Sequence, residues 1–282
     1  MITNFKSSFI VIAVFILAAF LSLFISCSDD IDTNNTLSLD IKTKIEIQTG
    51  KIHNRLMDLT FDIYNNEQVQ EQAKLSNNSN FIFELIYDSL VEELSHETNY
   101  SFNEVVDFLN SINLSKKDYI GGINGETSIE DTYLIENLSS INPQLDRYLN
   151  EVFDATIGFN STSDLKKTLE SILEKSEIEL RNEDYLIIYS TIDIAQHSIE
   201  YWMNFSNNSS DNTRTTYSDD CIDKNKVVKA DIRGAVRGAV RGFIMGSGVP
   251  GVGNGLGGVL GGLMGASTRS SLEGIKEYIR CN

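Results

Sequence analysis

The stretch DIRGAVRGAVRGFIMGSGVPGVGNGLGGVLGG, Asp231 to Gly262, sets glycine at fixed intervals inside a chain of 282 residues that holds only 19 glycines. Gly234, Gly238, Gly242 and Gly246 recur at every fourth position. So do Gly257, Gly261 and, just beyond the stretch, Gly265, with Gly258 and Gly262 alongside. On a helix of 3.6 residues per turn this spacing draws a slowly drifting glycine stripe, a groove into which another backbone fits closely. Between the two halves, Pro250 stands among glycines in GSGVPGVGNG, a helix stop followed by a turn. The spacing therefore predicts a helical hairpin with arms over 226–246 and 255–279.

Such a hairpin cannot stand alone in water. An interior Gly costs about 1 kcal/mol relative to Ala, so nine of them cost on the order of 9 kcal/mol, as much as the stability of a whole domain. Something must pack against the stripes: the other arm, the rest of the chain, a second copy, or lipid. Arg233, Arg237 and Arg241 form a basic stripe beside the glycines of the first arm. Each would cost about 2.5–3.5 kcal/mol at a bilayer centre, so that arm suits a headgroup interface or an acidic protein surface, not a solitary span. The second arm is uncharged from Val249 to Thr268, yet its glycines and Pro250 leave it a marginal span. Gly253, Gly255 and Gly258 spell GxGxxG, but no strand reads before them, so this is no dinucleotide site.

Upstream, the chain reads as all-α. It has only two prolines, Pro143 and Pro250, and its apolar residues recur at three and four places over long stretches. Ile41, Ile45, Ile52, Leu56, Leu59 and Ile63 form one such series, with Gly50 as its weak point. Phe83, Ile86, Leu90 and Leu94 form a second. Ser101 and Glu104 have capping-box spacing and mark a helix start. A helix is expected over 129–141, and Pro143 suits the first turn of the next. Leu165, Leu169, Ile172 and Leu173 share a face, while Leu186, Tyr189, Ile192, Ile199 and Trp202 mark the most buried helix of the body. The expectation is a bundle of six or seven helices over 38–205, enough for one core. A polar linker follows over 206–225, and a basic glycine-zipper hairpin over 226–282.

Charge supports this division. Residues 28–223 hold 13 Lys/Arg against 37 Asp/Glu, whereas 224–282 hold 9 against 3, and the net charge is −17. An acidic body argues against a nucleic-acid partner, because phosphate binding needs clustered Lys and Arg. No residue set points to catalysis, a metal or a cofactor. His53, His96 and His197 are scattered outside any HExxH or Cys/His spacing. His197 and Glu200 share a helical face at i, i+3, a pattern more common in exposed pairs than in ligands. GxSxG and P-loop motifs are absent from the sequence.

The chain begins MITNFKSSFIVIAVFILAAFLSLFISC, with Lys6, an uncharged apolar run from Phe9 to Ile25, then Ser26 and Cys27. This is the layout of a secretory signal, 1–26, and the run is also just long enough to serve as a retained anchor. Leu23, Phe24, Ile25, Ser26 and Cys27 resemble the lipobox of bacterial lipoproteins, a resemblance that implies an acylated Cys27 as mature N-terminus and membrane attachment through lipid. Ser28, Asp29 and Asp30 open an acidic tether, 27–37, and are similar to the export signal of surface lipoproteins from Bacteroidota-type bacteria. If Cys27 carries lipid, Cys221 and Cys281 remain as an even pair. Outside the cytoplasm they are expected to form a disulfide across the open ends of the hairpin, with two free thiols as the other reading.

The tail resembles the glycine-zipper segments of bacteriocin-like peptides and of some outer-membrane lipoproteins. The whole layout is similar to Bacteroidota-type lipoproteins that join a helical body to a C-terminal glycine-rich hairpin. This resemblance implies a lipid-anchored, non-catalytic protein of the outer membrane or cell surface. Its hairpin would serve close helix packing, self-association or contact with membrane or envelope proteins. The alternatives are a membrane-active, pore-forming protein, or an enzyme or ligand-binding lipoprotein whose site carries no recognisable motif.

Overall fold

Local chemistry sets most helix boundaries in the computed structural model, which describes residues 48–76, 78, 80–123, 138–156, 161–205, 221–246, 248 and 252–281. The signal segment, Cys27, the tether, Ile41 and Ile45, most of the helix expected over 129–141, and residues 206–220 lie outside these. The fold is all-α, with no strand among the described residues. Helices α1 (Thr49–Asn65), α2 (Glu67–Ser76), α3 (Phe81–Thr98), α4 (Phe102–Ser111) and α5 (Lys116–Ile123) are followed by α6 (Pro143–Ala155), α7 (Thr162–Glu179), α8 (Asn182–Asn204), α9 (Lys224–Gly246) and α10 (Gly253–Cys281).

Ser101 caps α4 with the full reciprocal box: its side chain accepts from the Glu104 N–H, and the Glu104 carboxylate accepts from the Ser101 N–H at 2.8 Å. Pro143 occupies the first turn of α6, whose cap is Asn142. Ser161 caps α7 by accepting from the Asp164 N–H. Gly253 opens α10 with φ +68°, a left-handed conformation that glycine adopts at little cost and that turns the chain back from α9.

Burial runs along both arms of the hairpin. Leu256 to Thr268 of α10 is buried without interruption, and α9 is buried along most of its length. The hairpin packs on α8 and α1, and α9 also packs on α6. The ten described helices belong to one unit, Lys42–Asn282. The acidic helices surround the hairpin, which is the centre of the fold.

The periodic series of the sequence map onto this centre with small shifts. Ile52, Leu56, Met57 and Phe61 line the buried face of α1, Leu59 and Ile63 being half-buried. Ile86, Leu90 and Leu94 are buried on α3; Leu165, Leu169 and Ile172 on α7; and Leu186, Ile192, Ile199 and Trp202 on α8. Gly50 is no weak point within a helix: α1 starts at Thr49, and Gly50 lies where its first turn meets the His197 ring on α8, in space a Cβ would occupy.

Candidate functional site

The glycine stripes face each other in antiparallel register. A Cβ on Gly234 would overlap the Gly265 carbonyl oxygen, one on Gly238 that of Gly261, and one on Gly242 that of Gly257. At the turn, a Cβ on Gly246 would meet the Gly253 carbonyl oxygen at 2.5 Å. Residue numbers climb by four on α9 as they fall by four on α10, so every rung is backbone against backbone. Gly258 turns a second face to α8, where a Cβ would lie 2.7 Å from the Ile187 methyl. The penalty of the helical glycines is offset by what they let approach. Val227, Val228, Ile232, Val236 and Val240 of α9, and Val259, Leu260, Leu263, Met264 and Ile275 of α10, are almost fully buried. Each contributes about 1.5–3 kcal/mol on burial.

The open end of the hairpin is closed covalently and by charge. Cys221 and Cys281 form a disulfide with Cα atoms 5.6 Å apart. Lys226 of α9 binds Glu277 of α10 at 2.9 Å and also pairs with Glu273. Arg280 donates to the Cys221 carbonyl at 2.6 Å. Burial alone would raise the Glu277 carboxyl, but Lys226, Arg280 and the Asp223 N–H hold it below its ordinary range.

The basic stripe turns toward protein. Arg233 and Arg237 lie over the Phe153 ring of α6, 5.3 and 5.9 Å from its centre, a cation–π arrangement. Arg241 is 7% exposed and donates to the Asn113 carbonyl at 3.2 Å.

Two polar clusters that the sequence did not single out lie where α1 meets α8 and α9. In the first, Asp193 of α8 accepts from the Thr49 hydroxyl at 2.9 Å and the Gly50 N–H at 2.7 Å, capping α1 from 143 residues away. His197 Nδ1 lies 3.2 Å from Asp193 Oδ1. Burial would raise Asp193, but His197, Gly50 and Thr49 together lower it, while the Asp193 partner raises His197. Glu200, the other member of the i, i+3 pair, binds Lys166 of α7 instead, at 2.7 Å.

The second cluster is fully enclosed. Asp231 Oδ2 accepts from Ser198 and, at 3.0 Å, from the Trp202 indole N–H, while His53 Nε2 stands 3.7 Å away. His53 and Asp231 are both 0% exposed. Ser, His and Asp meet here, but the serine hydrogen-bonds the carboxylate, and none of the three is open to solvent, so the trio lacks the order and access of a nucleophilic triad. No group of three or more His, Cys, Asp and Glu among the described residues is arranged to hold a metal ion. Two shallow surface grooves flank α7, about 490 and 530 Å³ in volume. The first is lined by Glu151, Asp154, Lys167 and Lys175 among others, the second by Lys166, Glu170 and Glu200 among others.

No family model, curated protein or solved structure matches the chain.

Proposed function

We propose that this chain is a lipid-anchored, non-catalytic envelope lipoprotein of a Bacteroidota-type bacterium, attached through Cys27 at the outer membrane or cell surface. Its helical domain serves interaction or envelope association. The observation that carries this reading is the internal use of the zipper. The two glycine stripes face each other, and the Arg233, Arg237 and Arg241 stripe is turned onto Phe153 and Asn113. The hairpin thus holds the domain together, and any partner would meet the acidic outer helices. The Cys221–Cys281 disulfide supports an oxidising compartment.

The test is an intact-mass measurement on protein taken from its native envelope. The expected mass is that of a chain starting at an acylated Cys27 with one disulfide. A retained 1–26 segment or an unmodified Cys27 contradicts the reading.

A membrane-active protein is the second reading, favoured by one observation: α10 holds an uncharged segment, Gly253 to Thr268, that other helices cover. Against it, no helix among the described residues is long and apolar enough to cross a membrane, and the open end of the hairpin is clamped. Dye-filled vesicles containing anionic lipid separate the two readings. No leakage with either oxidised or reduced protein is expected; leakage that Gly238→Leu abolishes would establish membrane activity.

A further inference from the structure

His53 and Asp231 are buried side by side at the junction of α1, α8, α9 and α10, and no activity proposed above uses them. Burying a single charge there would be costly, because an unpaired ion in a protein interior loses its hydration without replacement. Asp231 Oδ2 already accepts from Ser198 and Trp202 of α8, and Ser270 of α10 adds a hydroxyl beside it. Asp231 Oδ1 and His53 Nε2 have no hydrogen-bond partner among the described residues. His53 Nδ1 lies 3.3 Å from the Asn54 side-chain oxygen. A carboxyl and an imidazole this close, in so enclosed a place, need only one proton between them to be neutral as a pair, whichever atom holds it.

We propose that His53 and Asp231 form a one-proton lock: together they keep the α9–α10 hairpin docked on α1 and α8 across the mildly acidic to neutral range, and loss of either partner makes docking pH-dependent, in opposite directions. The lock belongs to the helical domain and holds whatever anchors the chain.

The direction of each effect follows from linkage. Burial pushes Asp231 up to about 7 from 3.8, so taken alone it supplies stability at low pH that is lost as pH rises from about 4 to about 7. Burial lowers His53 to about 4 from 6.5, with His197 adding to the shift, so taken alone it loses stability as pH falls from 6.5 toward 4. In the intact pair, between about pH 4 and about pH 6.5, the folded and unfolded states each carry one proton, and the two slopes cancel.

Other charged groups around the junction stand in pairs of their own. They are Asp193 with His197 on α8, Arg55 of α1 with Glu93 and Glu97 of α3, and Lys226 of α9 with Glu273 and Glu277 of α10. From α6, Phe153 faces Arg233 and Arg237. These are common to every variant, so comparison with the wild-type chain at each pH removes their contribution.

Trp202 is the only tryptophan and donates to Asp231, so its fluorescence follows unfolding at this point. Urea unfolding of the full chain in mild detergent is followed between about pH 4.5 and about pH 6.5 for wild type, His53→Gln, Asp231→Asn and the double variant. Relative to wild type, the unfolding constant of Asp231→Asn should rise as pH falls, and that of His53→Gln should rise as pH rises, each by up to about tenfold per pH unit. The double variant should run parallel to wild type. Two single variants that both parallel wild type would overturn the lock. Should a variant not fold, the histidine ring signals of the wild-type chain decide. A His53 ring that keeps a single protonation state between about pH 6.5 and about pH 5 supports the pairing, and one that titrates at its ordinary 6.5 refutes it.

Discussion

Gly238 and Gly258 lie on neighbouring turns of the same hairpin, yet their missing Cβ atoms do different work. At Gly238 the space is filled by the Gly261 backbone, which cannot move without parting the helices. At Gly258 it is filled by the end of the flexible Ile187 side chain. Gly238→Ala should therefore cost about 3 kcal/mol or more by overpacking and Gly258→Ala about 1 kcal/mol, a ranking that urea titration checks. Asp193 shows a different dependence at the same scale. Its carboxyl is held low while His197 is held high. The depressed acid supplies stability that is present above its unfolded value of 3.8 and lost as pH falls through its folded value. The raised histidine supplies stability that is present below 6.5 and lost as pH rises through its folded value. Asp193→Ala removes both contributions together with the hydrogen bonds from Thr49 and Gly50 that cap the start of α1. We expect a loss of about 2 kcal/mol near pH 6, with a flatter profile on either side, measurable by thermal unfolding across pH.

At the scale of elements, the hairpin ends show what covalent closure adds to packing. The disulfide closes a separation of 60 residues, and the surrounding charges, Lys226, Glu273, Glu277 and Arg280, hold the same ends without it. Reduction should lower stability by about 4 kcal/mol through the freer unfolded chain while leaving the native helix content unchanged, as circular dichroism before and after reductant would show. These elements also show what a sequence makes legible. Capping boxes, Pro143 and four-residue glycine spacing are local chemistry, and the helices they mark form as read. The Asp193 cap is not local: its two partners lie 143 and 144 residues away, so no window of sequence contains it. Asp231 reads as one acidic residue opening a basic stretch, and nothing beside it announces His53 or Trp202. The glycine spacing defines the mating faces but carries no information about whether a second protein, lipid or the chain's own body covers the remaining faces.

Among the described residues, the basic hairpin forms a centre on which the more acidic helices pack. A hairpin of glycine, small apolar residues and inward-facing arginines is covered by amphipathic helices, in a chain whose net charge is −17. Stability should then be graded from the hairpin outward. Helix α2 has no buried residue, so it should open locally, whereas α9 and α10 should open only when the whole domain does. Native-state hydrogen exchange on the full chain in mild detergent tests this central claim most directly. The account predicts that the amides of Ile232–Gly242 and Gly258–Leu272 exchange last, together with those of α8, at the free energy of global unfolding, and well after α2. Exchange of the hairpin amides ahead of those of α3 and α4 would contradict it, because the hairpin would then be an appendage and not the core.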